Sequence, residues 1–197
     1  MASIQYQYIA RRAKLTDTIQ IVASEAVALL KARGDSLGIA ESLTGGGLMA
    51  AVTSIPGASA VFRGGVVSYD TRVKEDLLKV NKDLIAEHGV IHADVGKQMA
   101  EGARVVTTVG GVPTTWGLGT TGVAGPSMQD GKPVGMVFIG VAKEGRSVGF
   151  GPFSFKGTRA QIQEATIIEA LALLCVELKK EEGKELEEGG VSATPQD

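Results

Sequence analysis

A short apolar run, Leu37-Gly38-Ile39-Ala40, leads into Glu41-Ser42-Leu43-Thr44-Gly45-Gly46-Gly47 and then into an apolar-periodic stretch from Leu48 to Ile55. That order reads as strand, tight turn and helix, and it constrains the chain more than any other stretch. Glycines at such a turn let the backbone adopt positive φ and approach a ligand closely. The amides at a helix start are unpaired and partly positive, so they suit an oxyanion or a phosphate. Ser42 and Thr44 place two hydroxyls beside those amides, and either residue also suits a plain helix cap.

The remaining pattern builds around this unit. Thr16 or Asp17 caps a helix to about Ala32, and Gly34 ends it. Val61 to Tyr69 reads as a strand in which Gly64-Gly65 marks a bulge or a close backbone approach. Asp70 or Thr71 caps a short helix through Leu78, and Asn81 opens another that stops before Gly89. Asp94 begins an amphipathic helix to about Thr107, with Val95, Met99, Ala100, Ala103 and Val106 inward. Trp116 to Thr121 is a strand followed by a second glycine turn, Gly122-Val123-Ala124-Gly125-Pro126. Val134 to Ala142 is a buried strand, paired with Arg146 to Phe155 through a turn at Lys143-Glu144-Gly145. A last helix covers about 158–180. One mixed sheet with helices on both faces buries all of these elements, so the expected fold is a single three-layer α/β domain over 16–180. Residues 1–15 are expected to form an arm. Residues 181–197, acidic and poor in large apolar side chains, are expected to form a disordered tail.

Composition narrows the function. The 197 residues carry a net charge of −2, which leaves no electrostatic footprint for nucleic acid or an anionic membrane. No stretch reaches the roughly 20 apolar residues that span a bilayer. The start is polar with Arg11, Arg12 and Lys14 and shows no signal-peptide core, and Cys175 stands alone in an apolar run, so the expected compartment is the cytoplasm. His88 and His92 are the two histidines, and with one cysteine they are too few for a His/Cys metal centre, so none is expected.

The chemistry has several readings at this level. A serine nucleophile at Ser42 needs a base. His88 at a helix end and His92 in a cap region suit those local roles, and no acidic residue stands out to orient either one. Lys74, after the glycine-rich strand and Tyr69, is the alternative base, since burial lowers a lysine pKa. Taken alone it reads equally as a solvated surface lysine. Asp70, four residues earlier, is expected to raise that pKa. Gly117 to Gly122 matches a bare G-x-G-x-x-G, but it lies within a strand and opens no helix.

Several motifs in order resemble the CinA C-terminal domain family. They are Ala40-Glu41-Ser42-Leu43-Thr44-Gly45-Gly46, Pro56-Gly57-Ala58-Ser59, and Gly64-Gly65-Val66-Val67-Ser68-Tyr69 with Lys74. Met99-Ala100-Glu101-Gly102-Ala103-Arg104, Thr121-Gly122-Val123-Ala124-Gly125-Pro126, Lys132-Pro133-Val134-Gly135 and Phe155-x-Gly157-x-Arg159 follow. The resemblance covers roughly residues 16–178 and implies a stand-alone, three-layer amidase domain. It implies deamidation of nicotinamide mononucleotide to nicotinate mononucleotide and ammonia, a step of pyridine-nucleotide salvage, with no metal or organic cofactor. It further implies Ser42 as nucleophile and Lys74 as general base, with Tyr69 orienting Lys74 or lining the ring site. Thr44, Gly45 and Gly46 are the expected oxyanion donors. Thr121, Gly122, Gly125 and Arg159 are the expected phosphate contacts. A homodimer is expected by the same analogy. Leu43, Asp70-Thr71, His92, Thr158 and the loop Ser127-Met128-Gln129-Asp130 depart from the family pattern. Those departures keep two other readings open, an inactive nucleotide- or partner-binding protein and an amidase for a different small amide.

Overall fold

A computed structural model of the chain describes residues 19–189, with side chains through Glu181. The expected arm at 1–15 lies outside the described residues. The elements run α1 (Ile19–Arg33), β1 (Leu37–Glu41), α2 (Gly47–Thr53), a 3-10 turn (Ala58–Ala60), β2 (Phe62–Val67), α3 (Thr71–Asp76) and α4 (Lys82–His88). They continue with α5 (Ala93–Val106), β3 (Trp116–Gly122), β4 (Met136–Lys143), β5 (Arg146–Ser154) and α6 (Arg159–Gly189). The sheet has five strands in the order β2-β1-β3-β4-β5, parallel among the first three and antiparallel from β3 to β5. It is the mixed sheet the sequence predicts.

Local chemistry explains the boundaries. Asp70 accepts from the Arg72 amide and caps α3, while the Asn81 side chain accepts from Asp83 and Leu84 and caps α4. Gly89, at φ 76, closes α4. His92, expected in the cap region, caps α5 through a 3.2 Å bond from the Asp94 amide to its Nδ1. Both sequence readings of Gly64-Gly65 hold. The β1–β2 ladder shifts register at Arg63, directly before Gly64, and a Cβ on Gly65 would lie 2.1 Å from the Ile39 carbonyl oxygen. At the other end α6 runs past Lys180 to Gly189, and the rest of the expected tail, 190–197, lies outside the described residues. Strong helix formers fill 181–189, and Glu181 is tied to Lys143 at 3.2 Å and Arg146 at 3.0 Å.

The two faces of the sheet are packed differently. On one face α1, α2 and α6 enclose the larger core, with Leu30, Leu37, Ile39, Leu48, Trp116 and Leu171 among its members. On the other face α5 crosses the sheet over a seam of small residues. Ala40 pairs with Gly119, Gly119 with Gly140, and Gly140 with Gly149, which makes one cross-strand row. A Cβ on Gly140 would sit 2.0 Å from the Gly96 carbonyl oxygen, and one on Gly117 would sit 1.9 Å from that of Ala100. The helix backbone therefore rests directly on the strands. Gly117 and Gly119 of the G-x-G-x-x-G match admit α5, while Gly122 lies against Met136 and Val137 of β4, so each of the three glycines has a packing role without a dinucleotide.

Candidate active site

Ser42 stands at the carboxyl end of β1, where its amide extends the ladder to the Thr120 carbonyl at 3.0 Å. The chain then turns through Gly45 (φ 62) and Gly46 (φ 100), conformations that favour glycine. Neither Ser42 nor Thr44 caps α2. The cap is Glu41, fully buried, whose Oε2 accepts from the amides of Gly46 at 2.9 Å and Leu48 at 3.1 Å and whose Oε1 accepts from Met49 at 2.7 Å. The Thr44 hydroxyl pairs with that of Thr120 at 2.9 Å, and Gln163 Nε2 of α6 donates to the Leu43 carbonyl at 2.7 Å. The turn is thus held from β1, β3 and α6.

Lys74, on α3, is only 1% exposed. Its Nζ donates to the Ser68 carbonyl, and Ser68 in turn donates to the Glu41 carbonyl through its amide at 2.8 Å and its hydroxyl at 3.2 Å. Burial pushes the Lys74 amine down to about 8, against the opposing pull of the Asp70 carboxylate. This is not a surface lysine.

A cleft of about 170 Å³ opens at this end of the sheet, and Ser42, Lys74, Tyr69, Gly122, Gly125 and Arg159 all line it. Leu43, Thr71, Val90, Ser127 and Gln129 complete much of its wall. Arg159 Nη1 donates to the Gly125 carbonyl at 2.7 Å and Nη2 to the Tyr69 hydroxyl at 2.5 Å. Tyr69 therefore engages Arg159, and it is the Ser68 carbonyl that orients Lys74. Val90 is fixed from both sides, with its carbonyl accepting from the Thr121 hydroxyl at 2.7 Å and its amide donating to Asp130 Oδ2 at 3.2 Å.

Four expected site residues lie elsewhere. Thr44, Gly45, Gly46 and Thr121 do not line the cleft. The Gly46 amide is taken by Glu41, and the Gly45 amide donates to the Ser42 carbonyl at 3.1 Å. The donors of the turn without a partner among the described residues are the Leu43 and Thr44 amides. Thr121 is fully buried under Val90. Glu41 and Gln163 carry no role in the sequence reading. The one signal for Glu41 is an acid that ends an apolar strand directly before a glycine turn and a helix.

His88 and His92 stack at 4.7 Å away from the cleft, so no histidine stands beside Ser42. Among the described residues no group of three His, Cys, Asp or Glu side chains is placed to hold a metal, and no helix is long and apolar enough to cross a membrane. The Cys175 thiol is buried and pushed up to about 12, chiefly by that burial.

The model of the CinA C-terminal domain matches residues 19–178. The chain belongs to that family. A CinA-like protein of Parasynechococcus marenigrum is 42% identical over 152 residues, covering 76% of this chain and 35% of its own length. One from a Synechococcus species is 49% identical over 122 residues, covering 61% of this chain and 28% of its own. The chain thus spans about a third of these curated relatives. A CinA superfamily protein from Klebsiella pneumoniae shares the fold at a TM-score of 0.77 and 25% identity, over 83% of this chain and 99% of that one. The competence/damage-inducible protein of Agrobacterium tumefaciens does so at 0.74 and 29%, over 82% and 95%. In this CinA domain the site lies where the parallel strands β1, β2 and β3 end, which is where α/β sheets commonly bind ligands.

Proposed function

We propose that this CinA domain is an amidohydrolase that converts nicotinamide mononucleotide to nicotinate mononucleotide and ammonia, a pyridine-nucleotide salvage step. The observation that carries the reading is the shared cleft of Ser42 and a buried Lys74 whose pKa is about 8. Neutral Lys74 takes the Ser42 proton as Oγ adds to the carboxamide carbon. The oxyanion is stabilised by the amide of Leu43, which lines the cleft directly after the nucleophile; such a donor is worth about 3–4 kcal/mol. Protonated Lys74 returns its proton to the departing nitrogen, the C–N bond breaks and ammonia leaves. Water then adds to the acyl ester, with Lys74 as base, and releases the acid. The Arg159 guanidinium, anchored on Gly125 and Tyr69, offers the positive charge a substrate phosphate needs.

Ammonia release from nicotinamide mononucleotide is the test. Ser42→Ala and Lys74→Ala are each expected to lower kcat at least about a thousandfold while the fold is retained. In the wild type the rate is expected to rise with pH and level off above about 8, as Lys74 loses its proton. A flat profile through that range would remove Lys74 from the base role.

Asp70→Asn sharpens the point. Asparagine keeps the cap on α3 but removes the carboxylate that raises Lys74, so the midpoint of the pH–rate profile is expected to move to lower pH. That same carboxylate favours a second reading, a nucleotide-binding protein on the amidase frame with Lys74 held charged. Binding of the mononucleotide by wild type without any ammonia release would establish it. Release of ammonia from small amides lacking the phosphate would point to a different substrate.

A further inference from the structure

We propose that Glu41 is the positioning residue of this site, an internal anion that sets the nucleophile turn and the lysine at once. It rests on the amidase reading for its kinetic form. The side chain is fully buried and both carboxylate oxygens are filled, by the amides of Gly46, Leu48 and Met49. These are the amides that a glycine-rich turn before a helix ordinarily offers to a phosphate. Here the protein supplies the anion itself, so a substrate phosphate finds those donors occupied. Among the described residues the amides of the turn that stay free are those of Leu43 and Thr44, just after the nucleophile.

The other end of the same residue governs the base. The Glu41 carbonyl accepts from both the amide and the hydroxyl of Ser68, and the Ser68 carbonyl accepts from Lys74 Nζ. One residue therefore carries the turn that presents Ser42 on its side chain and the anchor of Lys74 on its backbone. Glu41 does not line the cleft and touches no substrate, so its action runs through Ser42 and Lys74. Charge-assisted bonds from three amides fix the turn far more tightly than a neutral cap, which leaves the free donors preorganised.

The test is chemical rescue of Glu41→Ala, with Glu41→Gln as the variant that keeps the volume and one acceptor oxygen. Two readouts are taken with and without added formate, at constant ionic strength. The first is kcat and KM for nicotinamide mononucleotide. The second is the rate at which p-nitrophenyl acetate acylates Ser42, which needs no natural substrate. Glu41→Ala is expected to lose about a hundredfold in kcat with KM changed only a few-fold, and to acylate correspondingly slowly. Formate is expected to restore both rates along a saturating curve, while chloride does neither. Glu41→Gln is expected to fall between the two, because its NH2 group faces a donor. Wild-type kcat in a folded Glu41→Ala or Glu41→Gln protein overturns the proposal, as does formate that raises the thermal midpoint and leaves both rates low. If Glu41→Ala does not fold, the rate deficit of Glu41→Gln decides. Wild type that releases no ammonia yet acylates at Ser42 defeats the amidase reading and leaves the acylation readout to judge Glu41.

Discussion

Gly140→Ala is expected to lower stability by about 3 kcal/mol or more, and the thermal midpoint by roughly 6–12 °C. The added methyl would sit 2.0 Å from the Gly96 carbonyl oxygen and 2.7 Å from the Lys97 amide nitrogen. Those obstacles are helix backbone, so no rotamer change relieves the clash. Either α5 lifts from the sheet or β4 bends away from Gly119 and Gly149, its partners on both sides. Lifting α5 exposes Val95, Met99 and Ala103 to water. Gly145→Ala is the internal control. Its backbone is also strained for alanine, at φ 72, but its Cβ would meet nothing within 4 Å. It is expected to cost only about 1–2 kcal/mol. Urea unfolding of the two variants separates close packing from backbone strain, and equal costs would mean that α5 does not rest on the seam.

Lys74→Met is expected to abolish turnover and at the same time stabilise the protein at neutral pH. In the folded state the amine titrates at about 8, against an ordinary lysine value of 10.5. At pH 7 both folded and unfolded chains carry the proton, and the folded one bears the burial of the charge. As pH rises through 8 towards 10.5 the folded state gives up its proton first, so wild-type stability climbs across that window and the penalty disappears above it. The full span corresponds to about 3 kcal/mol, reduced in the variant by the lost bond to the Ser68 carbonyl. The measurement is the difference in unfolding free energy between the two proteins from pH 7 to 10.5. The methionine variant is expected to lead at the low end and to lose that lead at the high end. A constant difference would place the lysine pKa at its ordinary value and weaken its claim as a base. Stability given up at a site for chemistry is a common exchange in enzymes.

The parts of this molecule that were legible in its sequence are those set by neighbours a few residues away. Asn81 and Gly89 bracket α4 because a cap and a positive-φ stop act within one turn of chain. The glycine turn after β1 and the β4–β5 hairpin are equally local. Lys74 was legible as a site residue only through the family resemblance, since its burial depends on how α3 folds against the ends of β1 and β2. Tyr69 lines the cleft, one of its two expected places, but the Arg159 guanidinium that holds its hydroxyl comes from 90 positions further along the chain and was not legible. Gln163 holds the Leu43 carbonyl from 120 positions away, and nothing in the pattern around either residue announces the contact. Glu41 is the instructive case. Its three donors follow within eight positions, yet a carboxylate inside a buried strand shows its purpose only once the strand is known to be central.

The glycine seam also bears on how such a domain can change over evolutionary time. Residues that support the fold lie in mid-strand beneath α5, whereas residues that face the cleft come from strand ends, the loops beyond them, α3 and the start of α6. Ser127 and Gln129 sit on an exposed turn closed by reciprocal bonds between Gln129 and Lys132 and pinned to Val90 by Asp130. Substitutions at 127 and 129 can therefore be explored for new substrates without touching the contacts that keep the sheet and α5 together. The exposed cleft positions 127 and 129 and the glycines under α5 are thus different residues, so the first can change without disturbing the second.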